Sequence, residues 1–127
     1  MDLIAFTPVV TPVLRASRLD FALDSLDGWL GAEVGNLEDL FDITGHGDAV
    51  DDIEVLRSLH LAPGASPEDV RRLLEDAMLP LERLLDRVWS IPLKGPFNDP
   101  SGLDAWIFRS EARLEDVLSA LNLALAA

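Results

Sequence analysis

Between residues 66 and 89 the chain reads SPEDVRRLLEDAMLPLERLLDRVW, with apolar residues at Val70, Leu73, Leu74, Ala77, Met78, Leu81, Leu84, Leu85, Val88 and Trp89. Spacings of three and four in that order lay one apolar stripe along a helix. The start is marked as well. Ser66 is an N-cap residue, Pro67 suits the first helical position, and Glu68 and Asp69 complement the positive end of the helix dipole. Pro80 falls inside the stripe without changing its phase. It removes one backbone hydrogen bond and crowds the carbonyl four residues back, so the pattern predicts one kinked helix rather than two unrelated ones.

The same period recurs on both sides. Leu19, Ala22, Leu23, Leu26, Trp29 and Leu30 predict an earlier helix that Ser17 caps and Gly31 ends, with Asp20, Asp24 and Asp27 on its wet face. Asn36 reads as the cap of a short helix holding Leu37, Leu40 and Phe41 inward and Glu38, Asp39 and Asp42 outward, broken by Gly45 and Gly47. A third helix is expected to start at Asp48, bury Val50, Ile53, Leu56 and Leu59, and stop before the turn at Pro63 and Gly64. After the stretch IPLKGPFNDPSG, a last helix begins near Leu103 with Trp106, Ile107, Leu114, Val117, Leu118 and Leu121 inward. Pro8 and Pro12 block a helix and disfavour a central strand, which predicts an extended arm or edge strand at the N-terminus. The expected fold class is all-α: a compact bundle of about five helices with a Pro-containing extended N-terminal arm. Its 127 residues make one helical domain, with the arm over 1–15, an acidic helical half over 17–62, and the long kinked helix plus the C-terminal helix over 66–127.

Composition supports helices. Aromatic residues make up only 6% and Tyr is missing, whereas Leu and Ala, both helix formers, dominate. Apolar residues reach 49% and mean hydropathy is +0.20, high for a small soluble chain, so a second subunit or a partner is expected to cover part of the apolar surface. The absence of Cys excludes disulfides and thiolate zinc sites. The apolar start MDLIAFTPVVTPVL carries Asp2 and no basic residues ahead of its apolar run, which is wrong for a secretory leader. It is also shorter than the roughly 20 residues a membrane span needs. A cytoplasmic protein with no membrane association is the expectation.

Charge changes the picture more than composition does. The net charge is −13, and the acids are unevenly placed. No Lys or Arg lies between Arg18 and Arg57, while residues 20–54 hold eleven acids: Asp20, Asp24, Asp27, Glu33, Glu38, Asp39, Asp42, Asp48, Asp51, Asp52 and Glu54. Residues 64–127 hold eleven acids against seven bases. In that half Arg83 and Arg87, like Arg109 and Arg113, are expected to be offset by the neighbouring Glu82, Asp86, Glu111 and Asp116 in ordinary surface ion pairs. Such a field repels nucleic acid and anionic lipid and attracts a basic protein surface.

Only the stretch FDITGHGDAVDDIEVLRSLH, residues 41–60, gathers groups with chemistry. An EF-hand loop begun at Asp42 would place Gly47 correctly at position six, but Ile53 falls at position twelve and Glu54 comes one residue late. His46 with Asp48 and Asp52 could offer nitrogen and oxygen ligands to a transition metal, or a base for catalysis. His60 cannot join His46 if a helix of about twelve residues, roughly 18 Å long, lies between them. The simpler reading makes His46 a turn residue and His60 a residue near a helix C-terminus, where a cation is favoured. No G-x-S-x-G and no phosphate-binding glycine pattern occurs.

These observations predict a small, acidic, non-enzymatic helical protein that acts by binding another protein, as part of a homo-oligomer, with no cofactor, no metal and no direct nucleic-acid contact. The expected binding face is Asp20, Asp24, Asp27, Glu38, Asp39, Asp42, Asp48, Asp51 and Asp52. Acids every three to four residues give a charge per roughly 5 Å of helix, and adjacent helices add towards the one per about 1.7 Å of duplex DNA. The sharper form of the expectation is therefore a DNA mimic of the anti-restriction or anti-CRISPR kind, inhibiting a nucleic-acid-binding protein, an analogy of charge alone. Two alternatives stand beside it: acids that serve only solubility, and a small enzyme or metal-binding protein using His46 with Asp48 or Asp52. Trp29, Trp89 and Trp106 are read as core residues, with an interface anchor as the alternative.

Overall fold

The computed structural model describes residues 18–95, 99 and 101–126. Among them the chain forms five α-helices and no strand: α1 (Leu3–Ala32, entering the described residues at Arg18), α2 (Val34–Thr44), α3 (Val50–Ser58), α4 (Pro67–Trp89) and α5 (Leu103–Leu125). A single 3₁₀ turn, Gly47–Ala49, precedes α3. The bundle expected from the apolar period is the one found. The extended arm expected over 1–15 and the cap expected at Ser17 lie outside the described residues.

Helix α5 packs against α1 and α4, and α4 also meets α3 and α1, while α2 bridges α1, α3 and α5. Leu26 of α1, Leu40 and Phe41 of α2, Ile53 and Leu56 of α3, Leu74, Leu81 and Leu84 of α4, and Leu114 and Leu121 of α5 are fully buried in one continuous core. Each occupies the inward stripe that its helical period dictates.

Three boundaries differ from the sequence expectation. Gly31 does not end α1, which runs on to Ala32, and Asn36 does not cap α2, which starts at Val34. Only Glu33 separates the two helices, and it makes no side-chain cap. Burial of Trp29 and Val34 on either side of the junction sets the turn, so tertiary packing and not a local breaker decides where α1 stops. The third helix likewise opens as the 3₁₀ turn, and α3 proper starts at Val50, which is only half-buried.

Helix α4 begins as expected. The Ser66 hydroxyl accepts from the Asp69 amide at 3.2 Å, and the Asp69 carboxylate accepts from the Ser66 amide at 3.1 Å, a reciprocal capping box. Arg71 donates to the Leu125 carbonyl at 2.8 Å, tying the start of α4 to the last turn of α5. The start of α5 is held by two carboxylates working in opposite directions. Asp99 accepts from the amides of Leu103 (2.9 Å) and Asp104 (2.7 Å) and from the Ser101 hydroxyl (3.1 Å). Asp104 in turn accepts from the amides of Lys94 (2.9 Å) and Gly95 (2.8 Å), pinning the loop back onto the helix.

These bonds favour the ionised carboxyls. The Asp104 amide, followed by the Leu103 amide and the Ser101 hydroxyl, lowers the pKa of Asp99. The Ser66 amide and then its hydroxyl do the same for Asp69. A depressed folded-state pKa contributes stability that is complete above the ordinary aspartate value of 3.8 and is lost as pH falls through the lower folded value. Asp99→Asn should therefore melt below the wild type by a constant margin above about pH 5, and the margin should close below about pH 3.8. Thermal melts followed by circular dichroism across that range check this. A margin that does not change with pH would mean the carboxylate charge is not what caps α5.

Candidate functional site

The acidic half is built by α1, α2 and α3. On α1 the inward positions are Leu19, Ala22, Leu26 and Trp29, which turns Asp20, Asp24 and Asp27 to the opposite side, all exposed. On α2 the inward Val34, Leu37, Leu40 and Phe41 leave Asp39 and Asp42 exposed. Asp51 is exposed in the first turn of α3.

The other acids are engaged within the molecule. Glu33 receives Arg109 at 3.2 Å and Arg113 at 3.7 Å, both from α5. Asp52 receives Arg83 of α4 at 3.5 Å, and Asp48 is paired with Arg87 of α4. Arg57 of α3 pairs with Glu38 of α2, whose hydrogen bond raises the guanidinium pKa, and reaches Glu54 at 3.4 Å. Arg83, Arg87, Arg109 and Arg113 thus cross to acids of the first half and do not pair with Glu82, Asp86, Glu111 or Asp116, as local spacing had suggested, whereas Arg71 pairs within α4 with Glu75 at 3.4 Å. Sequence spacing reads neighbours on one helix; these pairs exist because α4 and α5 dock beside α2 and α3. Among the described residues, Asp20, Asp24, Asp27, Asp39, Asp42 and Asp51 take part in no ion pair. Of the nine acids expected to form the binding face, Glu38, Asp48 and Asp52 are the three held internally.

Within the stretch from Phe41 to His60, residues 45–49 connect α2 to α3. Gly45 adopts the left-handed conformation at φ 79°, the His46 amide donates to the Phe41 carbonyl at 2.7 Å, and the chain reverses into the 3₁₀ turn. His46 itself has negative φ, so the unusual backbone angle belongs to Gly45. The His46 ring lies edge-on to Phe41 at 6.4 Å, and its Nδ1 is 3.5 Å from Arg87 Nη1. Asp48 and Asp52 are directed at two different arginines of α4, and His46 approaches the first of these, Arg87. His60 is exposed, with Nδ1 3.1 Å from the Ser58 carbonyl, and borders two shallow hollows of about 300 and 260 Å³. Among the described residues no three His, Asp or Glu converge as a metal would require.

A larger open groove of about 510 Å³ runs between α1 and α5, lined by Phe21, Gly28, Trp29, Arg113, Asp116 and Val117 among others. Sequence reading missed it, because Phe21 lies off the apolar stripe of α1 and is 62% exposed. The tryptophans divide. Trp29 is buried and Trp106 half-buried, as expected for core residues, whereas Trp89 is 57% exposed and is not in the core. It ends α4, beyond Leu85 and Val88, which are the last residues of that helix to be enclosed.

Fold and surface together give a helical bundle of net charge −13 in which six exposed aspartates of α1, α2 and α3 take part in no ion pair among the described residues, and in which an open groove lies between α1 and α5. Compared with family models, with curated proteins and with solved structures, the chain matches none. No helix among the described residues is long and apolar enough to cross a membrane.

Proposed function

We propose that the protein is a small non-enzymatic binding protein whose acidic face engages a basic surface on a partner protein. In its sharper form, that surface is the nucleic-acid site of a nucleic-acid-binding protein, occupied by charge mimicry. The observation that carries the reading is the division of the acids. Arginines from α3, α4 and α5 neutralise Glu33, Glu38, Asp48 and Asp52, yet Asp20, Asp24, Asp27, Asp39, Asp42 and Asp51 are left exposed and unpaired among the described residues. Solubility alone needs no such concentration on one half of the chain, and clustered like charge works against the compact state. Exposed Leu79, Trp89, Leu93 and Phe108 favour a second subunit covering apolar surface elsewhere on the molecule.

The test is affinity capture from the native host's lysate by the wild type and by a variant with all six aspartates changed to Asn, its fold checked by circular dichroism. Basic nucleic-acid-binding proteins should be held by the wild type and released by added duplex DNA. They should also elute in rising salt, because screening shortens from about 10 Å at 0.1 M to about 3 Å at 1 M. The Asn variant should capture none of them. Capture that is unchanged by the six substitutions would leave the acids as solubilising groups.

A further inference from the structure

We infer that the groove between α1 and α5 receives a bulky apolar side chain from a basic segment of the partner, so that groove and acidic face act as one docking surface. This rests on the binding role proposed above and specifies the partner's chemistry. Phe21 stands exposed at the groove, and Trp29 and Val117, both buried, form its apolar lining. Gly28 also lines it. A Cβ at that position would meet nothing within 4 Å, so no close packing calls for glycine in the middle of a helix that glycine weakens.

Charge selects the occupant. Asp24 lies three residues after Phe21 and four before Gly28, on the same strip of α1, with Asp20 and Asp27 next to it. Asp116 lines the groove from α5, and Arg113, the one base in its lining, is turned to Glu33 at 3.7 Å. A second copy, itself at −13, would bring like charge to this rim, and anionic lipid would be repelled. A segment with Leu or Phe at helical spacing and Lys or Arg around them satisfies both parts, as an amphipathic helix laid into a groove does.

The probes are labelled synthetic peptides of equal length: a Lys-rich amphipathic helix with Leu and Phe on one face, a peptide of the same charge with Ala in place of Leu and Phe, and a neutral amphipathic peptide with Gln in place of Lys. Binding is read by fluorescence anisotropy. The basic amphipathic peptide should bind at least about tenfold more tightly than the Ala peptide. Gly28→Leu, which fills the groove without lowering the melting temperature, should remove that advantage and leave the weak binding of the Ala peptide intact. Phe21→Ala, a truncation at an exposed position, should reduce the advantage too and serves if the leucine disturbs folding. Changing Asp20, Asp24 and Asp27 to Asn should weaken both basic peptides. Equal binding of the two basic peptides, or an advantage that survives both groove variants, overturns the groove and leaves the acidic role standing. Failure of either basic peptide to bind, binding that the Asn variant retains, or tightest binding by the neutral peptide overturns the acidic role and the inference with it. Self-association that Gly28→Leu abolishes in analytical ultracentrifugation would give the groove to a second copy, which also overturns the inference.

Discussion

Phe41→Ala is expected to lower the stability of the bundle by about 3–5 kcal/mol, the range for truncating a fully buried aromatic. Phe41 has no exposed surface and is the last inward residue of α2. Its ring meets the edge of His46, and its carbonyl takes the amide that reverses the chain after Gly45. Loss of the ring opens a cavity under the junction that leads into α3 and carries Asp48 to Arg87. Relaxation to fill that cavity would have to move the junction itself, so the cost should sit towards the upper end of the range. Ile43→Ala is the control: two residues further along the same helix, 65% exposed, and expected to change stability by no more than about 0.5 kcal/mol. Urea unfolding of both variants measures the difference. Similar midpoints for the two would mean that the junction is not part of the cooperative core.

What could be read from the sequence follows the range over which each signal acts. The apolar period is set by helix geometry and needs no knowledge of neighbours, so Leu73, Leu74, Leu81 and Leu84 in α4 and Leu114 and Leu121 in α5 were placed inward correctly. The start of α4 was legible for the same reason, since Ser66, Pro67 and Asp69 act within one turn. The junction of α1 and α2 was not. Gly31 and Asn36 carry real local preferences, but burial of Trp29 and Val34 outweighs them, and no residue near Glu33 announces a turn. Trp89 was misread because periodicity gives the direction of a side chain and says nothing of how far the neighbouring helices extend along it.

The candidate site shows the same limit more sharply. The excess of acid in residues 20–54 was plain, but which acids are free depends on partners far along the chain. Glu33 meets Arg109 and Arg113, and Asp48 meets Arg87, through contacts that exist only once α4 and α5 are docked. The groove depends equally on two distant helices. Phe21 and Gly28 are unremarkable in α1 alone and line a cavity only beside Asp116 and Val117 of α5.

Pro80→Ala should stabilise the protein by about 1–2 kcal/mol, against the usual direction for a change at a buried position. Pro80 is enclosed within α4, which continues unbroken from Pro67 to Trp89 around it. Proline inside a helix is less favourable than Ala by about 3 kcal/mol, because its amide cannot donate to the carbonyl four residues back, here that of Asp76. Against this, the change removes two buried ring carbons at about 0.8 kcal/mol each. The backbone term is the larger, which gives the net sign. Urea unfolding with an unchanged m-value would confirm that both proteins unfold from the same compact state. A loss of stability instead would mean that the geometry imposed at Pro80 sets how two fully buried residues, Leu81 next to it and Leu84 one turn on, meet their neighbours. In that case the proline shapes the bundle, and its backbone cost is offset by packing that a straight α4 could not make.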